Sequence, residues 1–177
     1  MTCIVGYIHN GKVCIAGDKL ASNYSSKQIH SQSKVFAKGD VVFGYTSSFR
    51  FGQLIEYHLE DFIYDSTKEI DFIIKTVIVK IKAVLKEYEY SEKECGVALV
   101  AINDKLFVLQ SDFSVLDMSK YASVGSGEYF ALGSIYSSIN TKKPKTKSDV
   151  EDILKLAISA ASYHSTSVSE ESTIIWT

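Results

Sequence analysis

Proline is almost absent from this chain: Pro144 is the only one in 177 residues. No segment reads as a Pro-rich linker, and no low-complexity stretch or repeat is present, so residues 1–177 are expected to form a single compact domain. Cysteine is scarce as well. Cys3, Cys14 and Cys95 form no CxxC pair and no metal-ligand spacing, which makes them free thiols in a reducing cytoplasm. His9, His30, His58 and His164 are scattered, with no pair at helical spacing, so no side-chain metal site is expected. Excess positive charge is missing too. The net charge of −2 excludes a large nucleic-acid footprint. No long apolar run is unbroken: Lys75, Lys80 and Lys82 interrupt the stretch from Ile70 to Leu85, which argues against a membrane span. The N-terminal apolar run is short, lacks a basic flank and meets Asn10-Gly11 at once, so it does not read as a signal peptide. There is no P-loop, so any use of ATP must come from a partner.

What is present begins at the second residue. Thr2 follows Met1 directly and opens the apolar run Thr2-Cys3-Ile4-Val5-Gly6-Tyr7-Ile8. Thr is small enough for methionine aminopeptidase to remove Met1. Removal would leave a residue carrying both a hydroxyl and a free α-amine, a nucleophile with its own base attached. The plainer reading is that any Thr can follow Met. Cys3 could serve as a nucleophile only if trimming went one residue further.

The rest of the chain alternates in blocks. Thr2 to His9 and Lys12 to Ala16 read as strands joined by an Asn10-Gly11 hairpin turn. Ser22 to Ser33 is polar and reads as a loop. Val35 to Lys38 and Val41 to Tyr45 read as a second hairpin around Gly39-Asp40. The period then becomes helical: Phe51, Leu54, Ile55, His58, Leu59 and Phe62 share one face, and a longer stripe runs from Ile70 to Tyr88. Strands return at Gly96 to Ile102, Lys105 to Gln110 and Tyr121 to Val124. A helix is expected through Tyr129 to Ser138. Ser148-Asp149-Val150-Glu151 has a capping-box pattern that would open a last helix to about Ser162, and Ser172 to Trp176 reads as a final strand. Segregated blocks of strands and helices indicate α+β. A four-layer αββα sandwich, two antiparallel sheets flanked by helix pairs, would bury every apolar stripe.

Taken singly, Asp18 after Gly17 reads as a turn residue, Lys34 as a surface lysine and Ser126 between two glycines as a cap or turn. Their order and spacing read differently. Thr2-Cys3-Ile4-Val5-Gly6, Asn10-Gly11-Lys12-Val13, Ile15-Ala16-Gly17-Asp18, Lys34-Val35 and Gly125-Ser126-Gly127 with Tyr129 and Ala131 together resemble the proteasome β-type threonine peptidases, which are N-terminal-nucleophile (Ntn) hydrolases. The likeness is greatest to the bacterial HslV subunit. It is strong over about the first 45 residues, good around Ser126 and weak between Arg50 and Tyr121.

The resemblance implies a catalytic set. Thr2 Oγ would attack a peptide carbonyl, with the α-amine as base, since an α-amine titrates near pH 8. Lys34 would stand beside the hydroxyl as a cation, Asp18 would hold Lys34, and Ser126 would complete the proton network. Backbone N–H groups of Ser47 and Ser48 would form the oxyanion hole. Tyr24, Phe36 and Tyr45 fall near segments that would shape a substrate pocket, or belong to the core. The family usually has glycine where this chain has Ser47 and Ser48, a substitution that costs stability if the backbone there needs φ > 0. The proteasome's Arg-Asp pair is replaced by Tyr163-His164-Ser165, and HslV also lacks that Asp. HslV-like subunits can bind a sodium ion through backbone carbonyls, at positions matching Ala161, His164 and Ser167. No cofactor is required for the chemistry. Polypeptide substrates, a homo-oligomeric ring and an AAA+ unfoldase ATPase are the implied partners, with neither nucleic acid nor membrane. Two rival functions stand beside this one: a catalytically inactive ring-forming pseudo-peptidase, and an Ntn amidase acting on a small amide. The basic stretch from Lys142 to Lys147 reads as a solvated loop in preference to a docking patch.

Overall fold

The computed structural model describes residues 2–23, 26–66 and 68–177. Met1 and Tyr24 lie outside the described residues. β1 (Cys3–His9) and β2 (Lys12–Asp18) form the first hairpin, with Asn10 and Gly11 both at positive φ, as a tight hairpin turn demands. β5 (Val35–Lys38) and β6 (Val41–Tyr45) form a second, and β7 (Ala98–Ile102) and β8 (Lys105–Leu109) a third. β10 (Tyr121–Gly125) and β11 (Ser172–Trp176) flank the first hairpin, giving a sheet of order β10-β1-β2-β11. The other sheet runs β5-β6-β7-β8-β9, with β9 at Val115–Met118. Every pairing within these sheets is antiparallel.

Strand periodicity explains the layering. Side chains alternate between the two faces of a strand. Ile4, Val13, Ile15, Val35, Val42, Leu99 and Ala101 pack between the sheets. Their neighbours Cys3, Val5, Cys14 and Ala16 face α4 (Glu128–Thr141) and α5 (Lys147–His164). Phe36, Val41, Phe43, Tyr45, Val100 and Ile102 face α1 (Phe49–His58), α2 (Glu69–Phe72) and α3 (Ile78–Glu87). Each sheet is therefore covered on both faces, and the four-layer αββα sandwich is the observed architecture.

Local expectations fared unevenly. A two-stranded ribbon, β3 (Leu20–Asn23) with β4 (Ser26–Ile29), runs into the polar 22–33 segment. β4 is exposed throughout, so backbone pairing forms it with no apolar alternation to announce it. α1 stops at His58, because Leu59 is extended. Leu59 and Phe62 still reach the core, and Phe62 bonds through its backbone to Lys38 and Asp40 instead of continuing the helix. The stripe from Ile70 to Tyr88 passes through a π-helical turn, Ile73–Val77, between α2 and α3. The cap of α5 lies two residues earlier than expected. Thr146 Oγ1 accepts from the Asp149 N–H at 3.1 Å, and the Asp149 carboxylate accepts from the Thr146 N–H at 2.9 Å.

Candidate active site

Register brings the candidate residues together at one end of the sandwich. β1 pairs with β10 so that Cys3 lies opposite Gly125, which sets Ser126 beside Thr2. β1 pairs with β2 so that Ile4 lies opposite Gly17, which brings Asp18 to the start of β1. Lys34 comes from the other sheet. It precedes β5, and its carbonyl accepts the N–H of Tyr45 at 3.0 Å. One sheet thus supplies Thr2, Asp18 and Ser126, and the other supplies Lys34 and the loop after β6.

Asp18 is the hub. It is fully buried, and its carboxylate accepts from Lys34 Nζ at 3.0 and 3.1 Å. Oδ1 also accepts from the Cys3 N–H at 2.9 Å. Oδ2 takes the N–H groups of Leu20 at 3.0 Å and Ser169 at 3.3 Å. A single carboxylate therefore ties the peptide following Thr2 to the Lys34 ammonium. Lys34 is only 2% exposed, so it is not a surface lysine. Burial pulls its pKa below the ordinary lysine value, and the charge of Asp18 opposes that shift. Its ammonium lies 5.9 Å from the centre of the Phe49 ring.

Ser126 closes the other side. Its Oγ accepts the Thr2 N–H at 3.2 Å and lies 3.3 Å from the Thr2 carbonyl, to which it can donate. Gly125 makes this approach possible. It has φ +100°, and a Cβ there would stand 2.3 Å from the Thr2 carbonyl oxygen. Burial pushes the Cys3 thiol up to about 12, which keeps it protonated and unsuited to nucleophilic attack.

The loop after β6 divides the two oxyanion candidates. Ser47 has φ 68°, the left-handed conformation that glycine would adopt without strain. Among the described residues nothing accepts from its N–H. The Ser48 N–H donates to the Thr46 carbonyl at 2.9 Å, so Ser48 is corrected from an oxyanion donor to the N-cap of α1. In that role its Oγ accepts the Phe51 N–H at 3.3 Å. Phe36 and Tyr45 are corrected as well. Strand alternation turns both toward α1, where they are buried beside Phe43.

A cleft of about 530 Å³ opens at this end, lined by Thr2, Thr46, Ser47, Val97, Gly125, Ser126 and Glu128. Sequence reasoning missed Thr46, Val97, Glu128 and Ser169. Only Glu128 had a signal, its position directly after Gly125-Ser126-Gly127. Burial raises the Glu128 carboxyl above the usual glutamate range. Among the described residues no group of His, Cys, Asp or Glu could hold a metal ion. Ala161, His164 and Ser167 fall at the end of α5 and in the loop beyond it. Helix-terminal carbonyls have spare acceptor capacity there, and the Ala161 carbonyl accepts the Ser165 N–H at 2.9 Å.

No family model and no curated protein sequence matches this chain. Solved structures do. BPH of Thiobacillus denitrificans in complex with epoxomicin superposes with a TM-score of 0.80 at 20% identity, covering 99% of this chain and 97% of that one. A second structure of Thiobacillus denitrificans BPH gives 0.78 at 20% identity, with the same coverage. Eukaryotic HslV from Trypanosoma brucei gives 0.68 at 16% identity, covering 98% of both chains.

The chain has the HslV fold.

Within that fold, Ser126 bonds the Thr2 N–H, Asp18 joins the Cys3 N–H to Lys34, and Thr2 lines the cleft. Among the described residues, no helix is long and apolar enough to cross a membrane.

Proposed function

We propose that this chain is a threonine-type endopeptidase subunit, an Ntn hydrolase of the HslV type, with Thr2 as its nucleophile. The observation that carries this reading is the buried Lys34–Asp18 pair bonded to the N–H immediately after Thr2. Two buried charges are a costly arrangement, and a nucleophile at Thr2, one residue before the N–H that Asp18 binds, would give the cation a use. Removal of Met1 would turn the Thr2 nitrogen, already bonded to Ser126, into an α-amine. Thr2 Oγ attacks the peptide carbonyl and its proton passes to that amine. The amine then delivers the proton to the departing nitrogen. The acyl group stays on Thr2 as an ester until water releases it. The Ser47 N–H stabilises the oxyanion, and Lys34 favours the ionised hydroxyl.

Ser47 bears on the pseudo-peptidase alternative. Its left-handed backbone keeps the loop in the conformation a glycine would give, so the serine does not by itself remove the oxyanion donor. The small-amide alternative would be favoured by a monomer with an open, small pocket; the cleft volume of about 530 Å³ does not separate the two readings, and the oligomeric state does.

The subunit works in a homo-oligomeric ring on polypeptide substrates, in the cytoplasm, and an AAA+ unfoldase ATPase feeds the ring. Support for assembly comes from the outer helix layer. Tyr129 and Tyr136 on α4, and Leu156 and Tyr163 on α5, are exposed and spaced seven residues apart on each helix. The three free, buried cysteines suit a reducing compartment. No cofactor takes part in the chemistry, and a structural sodium ion sits on the carbonyls of Ala161, His164 and Ser167.

Intact mass and an active-site ligand test the reading. Active protein should lack one methionine. Epoxomicin should bind the wild type, and Thr2→Ala should weaken that binding. Thr2→Ala should lose peptide hydrolysis while remaining folded. Active protein that quantitatively retains Met1, or undiminished turnover by Thr2→Ala, would overturn it.

A further inference from the structure

The cleft beside Thr2 carries one ionisable side chain, Glu128. A second cleft of about 300 Å³ adjoins it and shares Val97 and Glu128. That cleft is walled chiefly by apolar side chains, among them Leu116, Met118 and Leu132, and Glu128 is its only charged group too. Among the described residues Glu128 has no salt-bridge partner. A carboxylate at the junction of two clefts, half-buried and without a counter-ion, is an incomplete pair.

We propose that Glu128 is a specificity-determining residue that receives the cationic side chain of a lysine or arginine next to the scissile bond. The inference rests on the peptidase reading of the Thr2 site and names its substrate class. The fit is both chemical and steric. A lysine or arginine stem is aliphatic and can lie along the walls formed by Val97 and Leu132, while its charged head meets the carboxylate. The ligand supplies the counter-ion that the cleft itself lacks. A hydrogen-bonded charge pair of this kind discriminates against a neutral isostere by about ten-fold or more. A free N-terminal ammonium has the same chemistry, so the probe peptides must separate the two sources. Glu128 also opens α4, where a negative charge favours the positive end of the helix. That role touches stability and not ligand choice.

The test separates this inference from the reading beneath it. Turnover of a blocked peptide set by the processed wild type, and its loss in Thr2→Ala, addresses the peptidase assignment. Binding addresses Glu128 and is measured on Thr2→Ala protein, so that no turnover is needed. N-acetylated peptides differing only by lysine or norleucine at one position are titrated by calorimetry, alongside a free-amine norleucine peptide. The lysine peptide should bind about ten-fold or more tightly than the norleucine peptide. The ratio should collapse toward one in Thr2→Ala/Glu128→Gln and invert in favour of a glutamate peptide in Thr2→Ala/Glu128→Lys. Equal affinities for lysine and norleucine, a ratio unmoved by Glu128→Gln, or tighter binding only of the free-amine peptide would each overturn the proposal. A shifted unfolding midpoint with an unchanged ratio would reduce Glu128 to its helix-terminal role.

Discussion

Two lysine–carboxylate pairs in this chain have the same separation and should behave very differently. Lys34–Asp18 and Lys75–Asp71 are both 3.0 Å apart, but the first pair is 2% and 0% exposed and the second 71% and 45%. The perturbation is Lys→Met at each, which keeps the stem and removes the charge. At Lys75 the exposed (i, i+4) pair should be worth at most about 0.5 kcal/mol. At Lys34 the loss leaves a carboxylate in the interior, for which breaking a buried pair costs about 3–5 kcal/mol. Three backbone N–H groups still bond Asp18, from Cys3, Leu20 and Ser169, so the lower end of that range, about 3 kcal/mol, is expected. In a chain of this size that corresponds to a fall of about 6–12 °C in Tm. Trp176 reports the unfolding. It is the only tryptophan, and its indole N–H bonds Glu151 at 2.9 Å, joining β11 to α5. Replacing both charges, as in Lys34→Met/Asp18→Leu, should not restore stability, because the three N–H groups then lose their acceptor. The Lys34→Met protein should also lose at least roughly 100-fold in peptidase rate. A cost below about 1 kcal/mol at Lys34, or equal costs at the two sites, would refute the burial argument; near-native turnover would refute the catalytic role.

Ser47→Gly should relieve the left-handed backbone and raise stability by about 0.5–1 kcal/mol in urea titration, since glycine tolerates φ 68° at little cost. The α5 cap should give a pH signature. The Asp149 carboxyl is held down to about 2, first by the Lys145 and Thr146 N–H groups and then by the Thr146 hydroxyl. Its folded pKa is thus below the ordinary 3.8, so its contribution is complete above that value and lost as pH falls through about 2. Acid titration of unfolding should show that loss in the wild type and not in Asp149→Asn. Light scattering across a concentration series should find a closed oligomer; a fully active monomer at high concentration would favour the small-amidase reading.

The layers were legible from sequence because each strand face and helix stripe carries its own period, and two-sided burial follows from the near-continuous apolar runs in β1, β2 and β7. The β3–β4 ribbon and β9 were not legible, since exposed or half-exposed pairing strands need no apolar alternation. The end of α1 was misplaced because Leu59 and Phe62 keep the helical spacing while serving the core from an extended segment.

At the site, the sequence by itself determined which residues are candidates: Thr2, Asp18, Lys34 and Ser126 stand in one order and spacing along the chain. Only the tertiary structure decided what they are. Lys34 is an ordinary lysine until the second sheet carries it against Asp18, and Phe36 and Tyr45 are pocket candidates until strand alternation turns them to the helices. Ser47 and Ser48 look interchangeable in sequence, yet the local fold gives one a left-handed backbone and the other the cap of α1. Glu128 acquires a role only where two clefts meet. The reason is physical: composition and period govern which face of an element is buried, while charge pairing, donor availability and exposure depend on neighbours that are distant along the chain.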